Sequence, residues 1–244
     1  MNAHPVLDRH EKIAISVSGG KDSTACVHLL RDHLHRIVCY HVDTGDLLPE
    51  MVENVERIAA MCPHFVRIET HVDAWIAANG LPTDLLPYSA HWIGRAMGQN
   101  GATLVPRYEC CGHNLMLPLY TRVREDGNTL LIRGTKRVDM KRLPVTSGDV
   151  VDGLEIYYPL VDWSNAEVFA YLAEKGVALP RVYEHVVNSP ECARCSAWWG
   201  EGRSAYLKQY HPALWQQYQE RLAVVRNEIY PSLLNLNHEA GDGT

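Results

Sequence analysis

The residues of this chain that are best suited to chemistry form a glycine-containing turn close to its start. Ile13, Ile15 and Val17 alternate as in a strand, and the sequence Ser18-Gly19-Gly20-Lys21-Asp22-Ser23 follows them directly. Two glycines let a backbone approach an oxyanion closely, and hydroxyl groups cap the first turn of the helix that we expect next. The free N–H groups of such a turn and the helix dipole attract phosphate. We therefore predict a phosphate-binding loop made of Ser18, Gly19, Gly20, Lys21, Asp22 and Ser23.

Three better-known glycine motifs do not fit this turn. A Walker A loop would need a glycine in place of Ile15, and neither the G-x-G-x-x-G fingerprint nor the G-x-S-x-G elbow is present. The turn resembles instead the PP-loop, S-G-G-x-D-S, of the ATP pyrophosphatases. That resemblance implies that ATP is split between its α and β phosphates, that the loop retains pyrophosphate, and that AMP passes to a substrate oxygen. The alternative is an ordinary turn without a ligand.

Four of the seven cysteines are grouped as expected for one metal site. Cys110 and Cys111 are adjacent, and two residues separate Cys192 from Cys195. Four thiolates can hold a four-iron four-sulfur cluster or a zinc ion, and a vicinal pair suits closed tetrahedral zinc poorly. We expect the cluster, with Zn²⁺ and then four unligated thiols as the alternatives. The remaining three are expected to be small buried apolar side chains: Cys26, Cys39 and Cys62.

Length and composition indicate a soluble enzyme domain with an appendage. The chain has 244 residues, 46% of them hydrophobic, and no apolar run long enough to span a membrane. Its first residues lack the apolar core of a signal peptide, so we expect a cytoplasmic protein with reduced thiols. The net charge of -6 argues against a nucleic-acid binder that uses its whole surface, although a local basic patch is compatible with it.

Strand and helix patterns alternate along the chain. Strands are predicted at 12–17, 36–42, 65–69 and 129–133, and helices at 22–34, 49–61, 113–124, 164–175 and 212–229. The alternation predicts an α/β fold with a doubly wound parallel sheet and helices on both faces, whose ligands bind beyond the carboxyl ends of the strands. We expect a nucleotide-binding domain over 1–178 with an insertion or lid at 79–106, a cysteine-rich helical segment over 179–237, and a tail at 238–244.

Several segments resemble the phosphoadenosine phosphosulfate (PAPS) reductase family. Val42-Asp43-Thr44-Gly45 with Leu48-Pro49-Glu50 is similar to the family's V-D-T-G-x-x-F-P-E, and Tyr158-Pro159-Leu160-Val161-Asp162-Trp163-Ser164 to its P-L-x-D-W-T. Cys110-Cys111 with Met116-Leu117-Pro118-Leu119 resembles the C-C-x-x-x-K-V-x-P-L of cluster-bearing adenylyl-sulfate reductases, whose C-x-x-C partner matches Cys192 and Cys195. The resemblance implies an adenine nucleotide alpha hydrolase-like fold, a contact from Asp43 to adenosine, and a four-iron four-sulfur cluster on these four cysteines.

A basic segment follows the strand predicted at 129–133. Residues 133–142 hold five basic residues against one acid and resemble the family's G-x-R-x-x-E-S-x-x-R, with Asp139 and Met140 in place of Glu-Ser. The candidates to neutralise the α phosphate during catalysis are Arg133, Lys136, Arg137 and Arg142. Arg137 is the one we expect to be catalytic, and we expect Gly134 and Arg142 to contact ATP. The same charges could hold a phosphate of a polymeric substrate or form a solvated loop. Together with Arg137, Lys21 and Asp22 are the predicted catalytic residues, with Asp22 helping to hold Mg²⁺.

Two departures from the reductase pattern bear on the reaction. Sulfonucleotide reductases replace the second glycine and the acidic-serine pair of the PP-loop, whereas this chain keeps the loop whole. They also attack sulfur with a cysteine in a C-terminal E-C-G-x-H segment, and here no cysteine follows Cys195. The combination resembles the ATP pyrophosphatases that insert sulfur into transfer RNA bases or DNA phosphates. We therefore expect ATP-dependent thiolation of a nucleic acid, with a cysteine desulfurase as sulfur donor.

Two other functions remain open from the sequence. The first is an iron-sulfur-dependent adenylyl-sulfate or PAPS reductase, and the second is a non-catalytic module that binds a nucleotide and a metal. The sequence also leaves open whether the protein forms a homodimer.

Overall fold

The computed structural model describes residues 5–98, 103–140, 144–189, 191–200 and 202–241. The strands, in chain order, are β1 (Ile13–Ser16), β2 (Ile37–Asp43), β3 (Phe65–Glu69), β4 (Leu81–Thr83), β5 (Leu104–Pro106), β6 (Leu130–Ile132), β7 (Val150–Val151) and β8 (Leu154–Tyr157). The helices are α1 (Lys21–Leu29), α2 (Pro49–Met61), α3 (Val72–Asn79), α4 (Trp92–Ala96), α5 (Arg107–Cys111), α6 (Leu117–Glu125), α7 (Asn165–Glu174), α8 (Arg203–Tyr210) and α9 (Pro212–Glu239).

Six of these strands form one sheet in the order β3-β2-β1-β6-β8-β7. The pairs within β3-β2-β1-β6-β8 are all parallel, and only the short edge strand β7 runs antiparallel to its neighbour. The chain order of the parallel strands reverses at β1, so the loops after β1, β2 and β6 leave the same edge of the sheet around one crevice. The predicted doubly wound α/β fold is confirmed.

Successive side chains of the central strands point to opposite faces of the sheet, so each face has its own apolar core. Ile13 and Ile15 of β1 lie in a cluster with apolar residues of α1, α2 and α7. Ala14, between them, faces the opposite side and packs in a second cluster with residues of α6. Strand residues that are buried on both faces are typical of a parallel sheet covered by helices.

The segment after residue 179 packs against the loop and helix that follow β2. Leu48 and Met51 share an apolar cluster with Val182, Tyr206 and Leu207. This contact brings the Cys-x-x-Cys segment to the carboxyl edge of the sheet. The domain boundaries given above remain predictions. None of the helices in the described ranges has the length and apolarity that crossing a bilayer needs.

The helix predicted at 113–124 is more complex than its pattern. α5 ends at Cys111, a π-helical turn spans Gly112–Met116, and α6 continues from Leu117. π-helical turns are rare and are frequent at functional sites. α1 ends at Leu29 and a 3₁₀ turn over Arg31–Arg36 replaces the last turn of its prediction, while α9 extends ten residues beyond 229 to Glu239.

Candidate active site

The loop between β1 and α1 has the tight geometry that a phosphate cradle needs. Gly19 has a φ of +81°, and a Cβ on it would lie 2.7 Å from Val55 Cγ2 and 3.2 Å from the Met51 carbonyl oxygen. Only glycine meets both the left-handed backbone and the close approach of α2 at this position. The predicted loop therefore packs directly on α2.

Hydroxyl and amide side chains fix the conformation of this loop. The Ser23 and Thr24 hydroxyls both donate to the Gly20 carbonyl, at 3.0 and 2.8 Å. Asn54 of α2 donates its Nδ2 to the Gly19 carbonyl at 2.7 Å and to Thr24 Oγ1 at 3.0 Å. The Ser18 hydroxyl accepts from the Gly20 amide at 3.3 Å. These bonds pre-organise the first turn of α1, so little ordering is left for a ligand to impose.

Two buried lysines converge on the carboxylate of Asp22. Lys21 Nζ lies 2.8 Å from Asp22 Oδ2, and Lys136 Nζ lies 2.7 Å from Asp22 Oδ1 and 2.8 Å from Asp139 Oδ2. Both lysine side chains are buried, with exposed fractions of 1% and 0%. Burial lowers the pKa of Lys21, and the neighbouring Asp22 opposes that shift. We call Lys21, Asp22, Lys136 and Asp139 the loop quartet.

Two residues of the C-terminal segment also hold Lys21. Its backbone N–H, at the first position of α1, donates to the Tyr183 hydroxyl at 2.9 Å. Its ammonium donates to Asn188 Oδ1 at 2.8 Å. The Tyr183 ring packs edge-on against Phe169, with centroids 6.0 Å apart, and burial raises the pKa of its hydroxyl. The amide and ammonium of Lys21 are the groups that would meet phosphate, so Tyr183 and Asn188 line the same cradle.

Gly134 brings the segment after β6 against the same turn. A Cβ at this glycine would lie 2.8 Å from the Asp22 carbonyl carbon and 3.0 Å from the Ser23 backbone nitrogen. Because the main chain at Gly134 lies this close to the main chain of Asp22 and Ser23, no side chain fits at this position. The close approach carries Lys136 to the loop quartet.

The loop after β2 meets the Cys-x-x-Cys segment. Asp43 accepts a hydrogen bond from the Gly45 amide at 2.9 Å. The Asp46 carboxylate, which is 1% exposed, accepts from Arg194 Nε at 2.7 Å and lies 3.6 Å from Arg221 Nη1. The Asp46 carbonyl also accepts from the Ala193 amide at 2.5 Å. Buried Asp46 thus anchors the segment that carries Cys192 and Cys195.

The four predicted metal-ligating cysteines are free thiols, and Cys195 lies close enough to Cys110, Cys111 and Cys192 to affect the pKa of each. Burial and the charge of Cys195 raise the pKa of Cys110 to about 11 and that of Cys111 to about 12. Burial also raises the pKa of Cys192. Within the described ranges, no group of three or more His, Cys, Asp or Glu residues could hold a metal ion as it stands. The cysteines are therefore gathered near one another without forming a ready-made single-ion site.

The basic segment 133–142 divides between the site and the surface. Lys136 enters the loop quartet, whereas Arg137, with 65% of its side chain exposed, pairs with Asp162 at 3.1 Å. Arg142 lies outside the described residues. The sequence singled out neither Tyr183, Asn188 nor Asn54, because no motif connects positions so distant in the chain. The periodicity of the basic segment gave no signal that Lys136 rather than Arg137 turns inward.

Sequence comparison identifies the family to which the chain belongs. The sequence profile of the phosphoadenosine phosphosulfate reductase domain matches residues 12–198, which run from β1 through the Cys-x-x-Cys segment. The chain belongs to this family. An adenosine 5'-phosphosulfate reductase of Allochromatium vinosum is 24% identical over 188 residues, covering 76% of this chain and 68% of that protein. A phosphoadenosine 5'-phosphosulfate reductase of Proteus mirabilis is 22% identical over 196 residues, covering 79% and 74%.

Among solved structures, a phosphoadenylyl-sulfate reductase of Candida auris in a phosphate complex is similar to this PAPS reductase family member. It has 16% identity and a TM-score of 0.47, covering 71% of this chain and 77% of that one. The relatives in the family are named as enzymes, which supports an enzyme here as well.

Proposed function

We propose that this protein is an ATP pyrophosphatase of the PAPS reductase family that adenylates a substrate oxygen for sulfur transfer to a nucleic acid. The observation that carries the proposal is the loop quartet beside an intact Ser18-Gly19-Gly20-Lys21-Asp22-Ser23 turn. Two fully buried ammonium groups at the first turn of a helix supply charge for more than one phosphate. An adenylyl sulfate offers this cradle no pyrophosphate to hold.

In the first step, the transfer of AMP to a substrate oxygen, different residues around the loop have different roles. Lys21, Lys136 and the loop amides bind the β and γ phosphates, while Asp43 beyond β2 contacts the adenosine. A substrate oxygen attacks the α phosphorus, the bond from that phosphorus to the bridging β oxygen breaks, and pyrophosphate leaves with the negative charge. Once ATP is bound, the ammonium groups that hold its β and γ phosphates face the leaving pyrophosphate and need no rearrangement during the reaction. Pre-organised charge of this kind is the usual source of catalysis in phosphoryl transfer. Arg137 and Arg142 remain proposed contacts of the α phosphate and of ATP.

Asp22 fits a magnesium ion only after phosphate has drawn the two lysines away from it. Both of its carboxylate oxygens accept from ammonium groups, at 2.7 and 2.8 Å. A bound triphosphate offers those ammonium groups better acceptors and leaves the carboxylate free for Mg²⁺, which prefers oxygen ligands. Phosphate and metal would therefore bind together.

The chemistry of the cysteine site fits an anionic cluster. Arg203 is buried, its Nη2 donates to the Cys195 carbonyl at 2.9 Å and to the Trp198 carbonyl, and its guanidinium carbon lies 4.3 Å from the ring centre of Tyr218. Its Nε and Nη1 have no hydrogen-bond partner among the described residues. A buried guanidinium without a carboxylate partner is costly unless an anion lies nearby. Cys110, Cys111, Cys192 and Cys195 would hold a four-iron four-sulfur cluster, with Zn²⁺ as the alternative. When bound, the cluster would supply iron ligated by all four thiolates and able to pass electrons.

Exposed aromatic side chains before the cysteine pair support a nucleic-acid acceptor. Tyr88, Trp92 and Tyr108 are exposed, Trp92 by 74%, and Arg107 lies 5.9 Å from the ring centre of Tyr108. Aromatic rings combined with arginine are the usual platform for unstacked bases. We propose transfer RNA or DNA as the acceptor. A cysteine desulfurase would supply a persulfide, two thiols would reduce its outer sulfur to the sulfide level as they form a disulfide, and that sulfur would displace AMP from the activated atom.

The second candidate is a sulfonucleotide reductase, and the names of the relatives favour it. Such an enzyme would release sulfite from adenosine 5'-phosphosulfate with a thiol reductant and would not use ATP. Residues 196–244 contain no cysteine that could attack the sulfur. The two candidates therefore differ in the nucleotide that each consumes.

An anaerobic assay of both reactions separates the candidates. The purified protein is incubated with ATP, Mg²⁺, sulfide and total transfer RNA or DNA, and AMP, pyrophosphate and incorporated sulfur are measured. A parallel incubation contains adenosine 5'-phosphosulfate and a thiol. We expect AMP and pyrophosphate in equal amounts, with loss in Lys21→Ala and Asp22→Asn variants that remain folded. Sulfite release that is independent of ATP would establish the reductase instead.

Anaerobic purification tests the cysteine site separately. We expect bound iron and sulfide with a broad visible absorption band, and we expect Cys111→Ala and Cys192→Ala to lose both. Stoichiometric zinc would replace the cluster by a structural metal, and the ATP reaction would be unaffected by that result.

A further inference from the structure

Two cysteines other than the four predicted metal ligands lie in direct contact, one on a strand of the sheet and one at the end of a helix. Cys39 Sγ of β2 and Cys62 Sγ at the end of α2 are 2.9 Å apart, although 23 positions separate them in the sequence. This separation exceeds a covalent sulfur–sulfur bond, about 2.05 Å, by about 0.85 Å. The sequence predicted independent buried apolar side chains at these positions, and their contact is a property of the fold alone.

Backbone hydrogen bonds hold the two thiols together. The Cys39 amide donates to the His64 carbonyl at 2.8 Å, and the Cys62 amide donates to the Ala59 carbonyl at 3.2 Å. The short connection from Cys62 to His64 leads directly from α2 into β3, the neighbour of β2 in the sheet. The approach of the two sulfurs therefore follows from the pairing of β2 with β3.

We propose that Cys39 and Cys62 form a thiol–disulfide pair that hydrogen peroxide oxidises. The Cys62 thiolate attacks one peroxide oxygen, the O–O bond breaks, and the hydroxide that leaves takes up a proton to become water. The resulting Cys62 sulfenic acid is attacked by the Cys39 sulfur as it loses its proton, and the S–O bond breaks to release a second water. Two thiols lose two electrons in total, and the peroxide gains them.

The surroundings of the two sulfurs assign these roles. Cys62 is 7% exposed and is followed by the exposed residues Pro63 and His64, whereas Cys39 is fully buried. The hydrogen bond from Cys39 lowers the pKa of Cys62, against the effect of burial. The same hydrogen bond and burial raise the pKa of Cys39. Cys62 is thus the sulfur that a small oxidant reaches first, and Cys39 resolves the sulfenic acid.

The chain is well suited to a direct mass-spectrometric test. Trypsin cleaves after Arg36, Arg57 and Arg67, so Cys39 falls in peptide 37–57 and Cys62 in peptide 58–67, each as its sole cysteine. The full-length protein is treated with hydrogen peroxide, its remaining thiols are alkylated, and it is digested without reductant. We expect the two peptides joined with the loss of two hydrogens, and separated again after dithiothreitol.

Thermal melting gives a second measurement on the same samples. Closing a loop of this length stabilises a protein enough to raise Tm by about 7–14 °C, provided that native geometry is kept. Cys39→Ala and Cys62→Ala should each abolish the linked peptide and the rise in Tm. Cys26→Ala is the matched control, because Cys26 is equally buried in the same apolar cluster and its substitution should leave both results unchanged.

The wild-type digest alone can overturn the proposal, so it does not depend on the variants folding. Alkylated Cys39 and Cys62 after peroxide treatment, under conditions that oxidise Cys111 or Cys195, would show that this pair does not react. A cross-link from Cys62 to any cysteine other than Cys39 would also contradict it.

Discussion

Replacing Lys136 by methionine removes one charge of the loop quartet while keeping most of the side-chain volume. Lys136 is fully buried and contacts Asp22 at 2.7 Å and Asp139 at 2.8 Å. Removing one partner of a buried ion pair costs about 3–5 kcal/mol. Asp22 keeps Lys21 at 2.8 Å, and both carboxylates retain some solvent contact, so we expect the lower end, about 3 kcal/mol. For a protein of this size that is a fall in Tm of about 6–12 °C.

The same change should weaken ATP binding. A hydrogen bond to a charged group contributes about 1.5–3 kcal/mol, so loss of the Lys136 ammonium should raise the dissociation constant of ATP with Mg²⁺ by about 13- to 160-fold. Isothermal titration calorimetry at a temperature well below the variant's Tm measures this change without requiring the acceptor substrate.

The neighbouring residue provides a matched control for Lys136. Arg137 pairs with Asp162 on the surface, where 65% and 75% of the two side chains are exposed, and such pairs contribute at most about 1 kcal/mol. Arg137→Met should therefore leave Tm nearly unchanged. Lys136→Met with unchanged Tm and unchanged ATP affinity would refute the reasoning from burial. Loss of binding in Arg137→Met alone would instead support the catalytic role predicted for Arg137 from the sequence.

Three further predictions concern the same edge of the sheet. Gly134→Ala should lower Tm by about 2–12 °C and abolish ATP binding, because its Cβ would collide with the Asp22 main chain. Gly112→Ala is the control, because a Cβ there meets open space and should change neither Tm nor ATP binding. Thermal melting and calorimetric titration measure the two effects. Tyr183→Phe frees the Lys21 amide for phosphate and should tighten pyrophosphate binding by about 2- to 13-fold, and weaker binding would contradict this. Despite the opposing effect of burial, Arg194 and Arg221 lower the pKa of Asp73, so its contribution to stability is present above its ordinary pKa of 3.8 and is lost as pH falls through the lowered value. Asp73→Asn should therefore reduce the loss of stability between pH 5 and pH 2 in acid melting curves, and an unchanged acid dependence would contradict that role.

Local patterns in the sequence were sufficient to predict the strands and helices of the central part of the fold. The alternation in β1, the glycine turn and the start of α1 are encoded within a few residues, and α2 has its predicted bounds of 49–61. β8, at Leu154–Tyr157, was not among the strands predicted from the sequence. The π-helical turn within the helix predicted at 113–124 has no periodic signal of its own.

The composition of the site depended on contacts that the sequence does not encode locally. The choice between Lys136 and Arg137 is made by the close approach of Gly134 to the Asp22 main chain. Tyr183 reaches Lys21 across 162 positions, and Cys39 meets Cys62 only because β2 and β3 pair. Motifs identified the loop and the cysteines, whereas the residues that surround them followed from tertiary packing.

The binding of inorganic pyrophosphate tests the central claim most directly, because it isolates the group that the loop is proposed to retain. In calorimetric titrations with Mg²⁺, we predict that pyrophosphate binds at one site per chain, competes with ATP, and loses affinity in Lys21→Ala and Lys136→Met. Tight binding of adenosine 5'-phosphosulfate, with no binding of pyrophosphate or ATP, would contradict the account and assign the cradle to a sulfonucleotide.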